Sequence, residues 1–361
     1  MSRLAPPGPR LTGSRPSSTD TEVSVPPPLP PVEQVRPGLW SVPVPIPANS
    51  LRYVFVYVFE TDRGPYIVDT GWNTEDAYDA LGAGLAEAGT SVGEVQGILV
   101  THLHPDHYGL AGRVREASGA WIGLHPADAE LIHDRYVDPD FLVDMMGTML
   151  RAAGAPAEEL DTLQRAAMPV LPLVTPATPD ILVEDLDKLD VPGWDLTALW
   201  TPGHSPGHLC LWDSVNQLML SGDHVLPRIT PNIAFHPQAG EDPLGAFLES
   251  LDRVATYDAL EVLPGHEHRF VGLAERVAEL HEHHERRFVE VVAAIEGGAT
   301  TGWEVATSMK WSRPWSGIDG FMRRAAVLEA LAHLRALEVR NVLREVRVAD
   351  QPSRWQVVGA L

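Results

Sequence analysis

Only one cysteine, Cys210, stands in the 361 residues, which excludes an internal disulfide framework. It falls inside the apolar run His208–Trp212, where it reads as a small buried hydrophobe, and it suits a reducing, cytoplasmic setting. No stretch reaches the roughly 18 consecutive apolar residues that a membrane-spanning helix needs, so no membrane role is expected. Basic residues are scarce. The 27 Lys+Arg face 49 Asp+Glu, a formal net charge of −22. A general grip on nucleic acid or on an anionic membrane needs the opposite balance, so the expected partner is a small-molecule substrate. The first 36 residues lack the apolar core of 7–15 residues that defines a secretory signal.

What the chain does have is Thr101-His102-Leu103-His104-Pro105-Asp106-His107, directly after the apolar run Gly97–Val100. That run reads as a buried strand. Histidines two apart at the end of an extended segment point the same way, because side chains alternate across a strand. Asp106 and His107 then fall in a turn that Pro105 starts. Three imidazoles and a carboxylate within six positions are costly to leave unpaired in a cleft. They are good borderline ligands for Zn(II). The heptapeptide marks a metal site.

Three further segments end an apolar strand in a turn that carries a ligand-type residue, with Gly or Pro setting the turn. They are Thr201-Pro202-Gly203-His204 with His208 beyond it, Leu218–Asp223, and Ala259–His266 ending in Pro-Gly-His. The set H-x-H-x-D-H, T-P-G-H, G-D, P-G-H, in that order, resembles the metallo-β-lactamase superfamily over roughly residues 38–270. The resemblance implies an αββα sandwich of mixed α/β class and two metal ions. It assigns one ion to His102, His104 and His204 and the other to Asp106, His107 and His266, with Asp223 bridging. His208 matches a histidine that often follows T-P-G-H, and is read as orienting a ligand by a hydrogen bond. Asp69, in Asp69-Thr70-Gly71, resembles the family's D-T-G element and takes a supporting role beneath the site. With nitrogen and oxygen donors and no thiolate, the set fits two Zn²⁺ and leaves Mn and Fe open.

The chemistry then follows. A zinc pair lowers the pKa of bound water from about 15.7 toward roughly 7, which gives a metal-bound hydroxide at neutral pH. Asp106 is placed to orient that nucleophile or to take its proton. No serine or cysteine nucleophile is required. The favoured reading is a metal-dependent hydrolase of a small ester, thioester or lactone. Tyr108 and Phe235 would supply apolar wall, and Arg228 and His236 are candidate substrate contacts. The alternative is a metal-dependent phosphodiesterase or ribonuclease. A second alternative, from another class, is an inactive sandwich with a binding role, against which the complete ligand set argues.

The rest of the chain divides into three parts. Residues 1–36, rich in Pro, Ser and Thr, read as a disordered tail that cannot bury enough apolar surface to offset its ordering entropy. Residues 37–272 form the catalytic domain, beginning with strands near 39–44, 53–59 and 66–69 and a helix near 74–88. A helical insert at about 126–168, with Met145, Met146, Met149 and Met168, sits where a lid over the site would have to be. Residues 273–361 read as three helices and a terminal hairpin, a winged-helix-like module. This module carries 12 acidic and 12 basic residues, so it lacks the basic face a DNA reader needs. Trp303, Trp311, Trp315 and Phe321 offer instead a wall for the cleft or a contact between two chains of a homodimer. The run His281-Glu282-His283-His284-Glu285 reads as a solvated helix face and stays outside the site.

Overall fold

Alternation along Tyr53–Phe59 gives the first sheet two different buried faces. Tyr53, Phe55, Tyr57 and Phe59 point into one core, Val54, Val56 and Val58 into another, as the two-residue period of a strand demands. The computed structural model describes residues 28–47 and 50–361. Its first sheet has seven strands in chain order: β1 (Glu33–Arg36), β2 (Leu39–Pro45), β3 (Tyr53–Phe59), β4 (Tyr66–Val68), β5 (Gly97–Leu99), β6 (Trp121–Leu124) and β7 (Ile181–Leu182). Pairing is antiparallel from β1 to β4 and parallel from β4 to β7. The second sheet, ordered β11-β10-β9-β8, comprises β8 (Leu196–Trp200), β9 (Leu209–Asp213), β10 (Leu218–Gly222) and β11 (Glu261–Pro264).

The aromatic face of β3 meets Leu196, Ala198, Leu211, Leu220 and Leu263 of the second sheet, so the two sheets share one dry interior. Helix α1 (Glu75–Glu87), capped by Thr74, covers the other face of the first sheet with Ala77, Leu81 and Leu85. A short α2 (Pro105–Tyr108) and α3 (Ala111–Ser118) complete that layer. Asp106 and His107, expected in a turn that Pro105 starts, lie in α2, a single helical turn with Pro105 at its start.

The insert folds as α4 (Pro126–Ala129), a single π-helical turn at His133–Val137, α5 (Asp140–Ala152) and α6 (Ala157–Gln164). Helix α7 (Pro243–Val254) covers the outer face of the second sheet. Beyond β11 come α8 (Leu273–Glu296), α9 (Gly302–Ser308), α10 (Gly320–Val339) and the antiparallel hairpin of β12 (Leu343–Val346) and β13 (Arg354–Val357). One core runs from Leu199, Met219 and Val262 through Phe247 of α7 to Phe288, Val305 and Leu331. The C-terminal helices therefore share their core with the second sheet.

Three expectations need correction. The tail boundary at residue 36 is late, because Glu33–Arg36 pairs with β2; residues 1–27 lie outside the described residues. Most of the insert packs away from the ligands, against the C-terminal helices. Met146 and Leu150 join the core there, Trp303 N donates to Ala153 O at 2.8 Å, and Arg323 holds Glu159. Only its first turns reach the ligand loops. The tryptophans are spent on packing: Trp303 meets Trp315 edge-on at 5.4 Å, and Arg287 lies 4.5 Å over Trp311. Among the described residues, no helix is long and apolar enough to cross a membrane.

Candidate metal centre

Every predicted ligand follows the C-terminal end of a strand: His102–His107 after β5, His204 after β8, Asp223 after β10, His266 after β11. The two sheets bring these ends together. His104 Nδ1 lies 3.0 Å from both His102 Nε2 and His204 Nε2. Asp223 Oδ1 is 3.3 Å from His107 Nε2 and from His266 Nε2, and its Oδ2 is 3.7 Å from His204 Nε2. Asp106 Oδ2 is 3.3 Å from His266 Nε2. Three overlapping groups have the spacing to hold an ion: His102/His104/His204, His102/His107/Asp223 and Asp106/His107/His266.

The outer hydrogen bonds fix which ring nitrogen faces inward. His107 Nδ1 donates to Asp69 Oδ2 at 2.7 Å, His266 Nδ1 to Tyr53 O at 2.8 Å, and His204 Nδ1 to Asn232 O at 3.0 Å. The Thr101 hydroxyl is 3.0 Å from both Asp69 oxygens, so it donates there and accepts His102 Nδ1–H at 3.0 Å. These outward Nδ1 contacts leave Nε2 of all four rings facing the centre, the atom that ligation uses once any proton on it is displaced. His104 is reversed and presents Nδ1.

Whether these residues suit a cation is tested by what they leave unpaired. His107 Nε2, His266 Nε2 and Asp223 Oδ1 are buried without a hydrogen-bond partner, three orphans converging on one point. Leaving such groups unsatisfied costs several kcal/mol in total, at about 1–3 kcal/mol each, and a divalent ion removes that cost. The donor set fits.

The electrostatics differ across the centre. Burial, then the neighbouring imidazoles, hold His102 well below the usual histidine range; burial, then His204 and Arg135, do the same for His104. Both rings are neutral and ready to ligate. Burial also disfavours charge on His266, but Asp223 and Asp106 overcome it and raise its pKa to about 10. His107 is raised in the same way, burial being outweighed by Asp223, Asp69 and Asp106. Burial opposes charge on Asp223, yet His266 and His107 hold its carboxyl well below the ordinary range.

The supporting residues fall where the sequence put them. Asp69 adopts φ 65°, a left-handed conformation, which aims its carboxylate at Thr101 N (2.8 Å) and His107. His208 Nε2 accepts Asp223 N–H at 3.1 Å while its Nδ1 faces the Thr201 hydroxyl at 2.8 Å, so it orients a ligand through that ligand's backbone. Gly222, at φ 47°, admits this contact: a Cβ there would stand 2.7 Å from His208 Nε2.

The substrate candidates fare unevenly. Tyr108 is a correction: it is fully buried, its hydroxyl closed on the backbone of Ala177, and it lines no cleft. Arg228 is exposed and pairs with Glu267 at 3.1 Å. Phe235 packs against the C-terminal core, its N–H donating to Leu328 O of α10 at 3.0 Å. His236 follows on the same loop, where its Nδ1 accepts Gln238 N–H at 3.2 Å. By letters alone, Gly203-His204-Ser205-Pro206-Gly207 spells the G-x-S-x-G of a serine nucleophile. However, Ser205 is buried with its hydroxyl on Asp128, and a strand follows where that motif needs a helix.

Sequence reading missed Asp128 and Asn232. Asp128 Oδ2 accepts from Leu103 N and Ser205 Oγ, both at 2.9 Å, and Oδ1 accepts from Gly207 N at 2.6 Å. It ties the His102–His104 loop to the His204 loop. An acidic residue in the first turn of a short helix is ordinary, so nothing local singled it out. Asn232, whose carbonyl holds His204, is itself held by Glu329 of α10 at 3.0 Å.

Residues 50–266 match the family model described as the metallo-beta-lactamase superfamily. The probable metallo-hydrolase YqjP of Bacillus subtilis (strain 168) is 24% identical over 274 residues, 74% of this chain and 83% of its own. The atrochrysone carboxyl ACP thioesterase dmxR1 of Cryptosporiopsis sp. (strain 8999) is 24% identical over 347 residues, 92% of this chain and 89% of its own. Among solved structures, a metallo-beta-lactamase family protein of Thermus thermophilus superposes with a TM-score of 0.77 at 30% identity, covering 90% of this chain and all of that one. A beta-lactamase domain protein of Burkholderia ambifaria gives 0.76 at 26% identity, with 91% and 94% covered.

Proposed function

Given that this chain belongs to the metallo-beta-lactamase superfamily and is a metal-dependent hydrolase, we propose that it holds two zinc ions and cleaves a small ester, thioester or lactone. The observation that carries the dinuclear reading is Asp223. Its two carboxylate oxygens face different groups, Oδ1 toward His107 and His266 and Oδ2 toward His204. His102, His104 and His204 would hold one ion, Asp106, His107 and His266 the other, with Asp223 shared. Such a pair activates water at neutral pH and polarises the oxygen of the bond to be broken.

The chain's own residues do the rest. Burial works to raise the Asp106 pKa, but His107 and His266 bring it below the ordinary range. A carboxylate so held is a weak proton acceptor, and its better role is to accept a hydrogen bond from the attacking water and orient it. Asp69, His208 and Asp128 keep the ligand loops in register.

Acyl chemistry is supported by the named thioesterase relative, aligned over 92% of this chain, and by the net charge of −22, which disfavours a polyanion. We read residues 273–361 as winged-helix-like, yet as a support of the site instead of a DNA reader, because Glu329 and Leu328 hold the loop that carries Asn232. The test is zinc-loaded protein assayed side by side on a thioester panel and on single-stranded RNA. Thioester turnover that EDTA abolishes supports the reading. RNA cleavage that EDTA abolishes, without ester or thioester turnover, overturns it.

A further inference from the structure

We propose that Arg135 and Arg324, together with His236, form an oxyanion-binding site beside the metal centre, so that the substrate carries a carboxylate or phosphate in addition to its scissile acyl bond. This rests on the acyl-hydrolase reading and names the substrate class for it.

The three residues come from three segments that meet at the ligand loops. Arg135 lies on the π-helical turn of the insert; the next residue, Tyr136, donates its hydroxyl to Leu103 O at 2.6 Å, between two predicted ligands. π-helical turns are rare and concentrate at functional sites. Arg135 Nε reaches Gln238 Oε1 at 3.3 Å, and Gln238 N donates to His236 Nδ1 at 3.2 Å. His236 follows Asn232, the partner of His204, by four residues. Phe235 N bonds Leu328 O, which brings α10 alongside, and Arg324 is one helical turn before Leu328.

Neither guanidinium has a carboxylate within 4.0 Å among the described residues. The contrast with the adjacent Arg323, which donates to both oxygens of Glu159 at 2.7 and 2.8 Å, is sharp. The Arg324 guanidinium lies over the Phe321 ring, 5.1 Å from its centroid. The field agrees with the geometry. Burial, then Arg135, push Arg324 down to about 10, and burial, then Arg135 and Arg324, hold His236 well below its usual range. In a chain with 49 acidic residues, two half-buried arginines within reach of each other's field and without a carboxylate partner is a destabilising arrangement. A bound oxyanion relieves it, and a guanidinium fork fits carboxylate or phosphate through two parallel hydrogen bonds. Val137 and Phe141 after Arg135, and Phe321 and Met322 before Arg324, are exposed apolar surface suited to the rest of an acyl substrate.

The experiment uses the zinc-loaded full chain and three thioesters. These are butyryl and succinyl N-acetylcysteamine, neutral and carboxylate-bearing, and butyryl-4′-phosphopantetheine, phosphate-bearing. The ratio of kcat/KM for each anionic substrate to the neutral one is measured in wild type, R135Q, R324Q and the double variant. The expected wild-type preference is about 10- to 100-fold, the worth of one or two charge-assisted hydrogen bonds, and it appears mainly in KM. It collapses toward one in the variants, and the substrate showing it distinguishes carboxylate from phosphate. No preference, or a preference that survives both substitutions, overturns the proposal. The arginines lie on separate elements, so misfolding of one variant leaves the other as a readout. Should no thioester turn over, the acyl-hydrolase reading fails. The anion site is then judged by calorimetric titration with inorganic phosphate and with succinate. Weakening of about tenfold in the double variant at unchanged zinc content sustains the site, and equal binding overturns it.

Discussion

Asp128 accepts the backbone N–H of Leu103, the amide that separates His102 from His104, at 2.9 Å. The same carboxylate holds Ser205 and Gly207, so a residue of the insert sets the distance between the two loops that carry the three-histidine group. Burial raises its pKa even with three donors in place, which shows how fully it is withdrawn from water.

Asp128→Asn therefore tests loop register. An amide has one acceptor oxygen, so its NH₂ must face an N–H or hydroxyl donor and at least one bond is lost. The expected cost is about 1–3 kcal/mol of stability, with weakened metal retention at His102/His104/His204. Elemental analysis after dialysis and denaturant unfolding measure both. Unchanged stability and metal content would show that Asp128 does not set the register.

Replacing the bridging carboxylate should differ from replacing a terminal ligand. Asp223→Ala is expected to reduce bound zinc at both positions, whereas His266→Ala leaves about one ion per chain. Zinc per chain by elemental analysis, with activity alongside, separates the two. If Asp223→Ala kept both ions and full rate, the bridging assignment would be wrong.

Metal uptake should release protons unequally. His266 keeps its proton up to about 10 and His107 is likewise raised, while His102 and His104 are depressed and already neutral at pH 7. Zinc entering Asp106/His107/His266 must displace protons, so its apparent affinity rises about tenfold per pH unit per proton displaced below about pH 10. Zinc entering the three-histidine group displaces few. Calorimetry in two buffers of different ionisation enthalpy, on His204→Ala and His266→Ala, counts the protons. Equal release from both variants would contradict the charge assignment.

A second buried pair predicts acid sensitivity. His333 Nδ1 donates to Glu329 O at 2.8 Å, so its Nε2 accepts His284 Nδ1–H at 3.1 Å and both rings are neutral. Burial, then His333, push His284 down to about 2, and burial brings His333 to about 3. Both folded values lie below the ordinary histidine value of about 6.5, so the unfolded chain binds more protons and stability falls as pH drops below 6.5. Each ring contributes up to about 1.4 kcal/mol per pH unit, and about 1 kcal/mol between pH 6.5 and 5.5, where the unfolded ring goes from half to about nine-tenths protonated. His284→Leu should lose less stability between pH 6.5 and 5.5 than wild type, by about that amount, in denaturant titrations of EDTA-treated protein. Identical pH slopes would count against the neutral pair. It also corrects the view of His281–Glu285 as a wholly solvated face, since His284 is buried.

The candidate ligands were legible because each is announced locally. An apolar strand, then a Gly- or Pro-set turn, then His or Asp occurs four times. Even the outer roles of Asp69 and His208 lay next to those turns. Tyr108 misled for a related reason. Its position beside His107 suggested the cleft, but side-chain direction on α2 turned it inward to Ala177, 69 residues away.

What only the tertiary structure decided is held by contacts with no local signature. Asp128 meets Ser205 across 77 residues, Asn232 meets Glu329 across 97, and Arg135 meets Gln238 across 103. Such pairs depend on how the insert and α10 pack on the second sheet. Spacing along a chain encodes which face of one element a residue occupies, and says nothing about which distant element will cover that face. The sequence by itself therefore determined which His and Asp side chains gather as candidate metal ligands. The packing of its last helices and its insert decided how those ligands are held and what charge stands beside them.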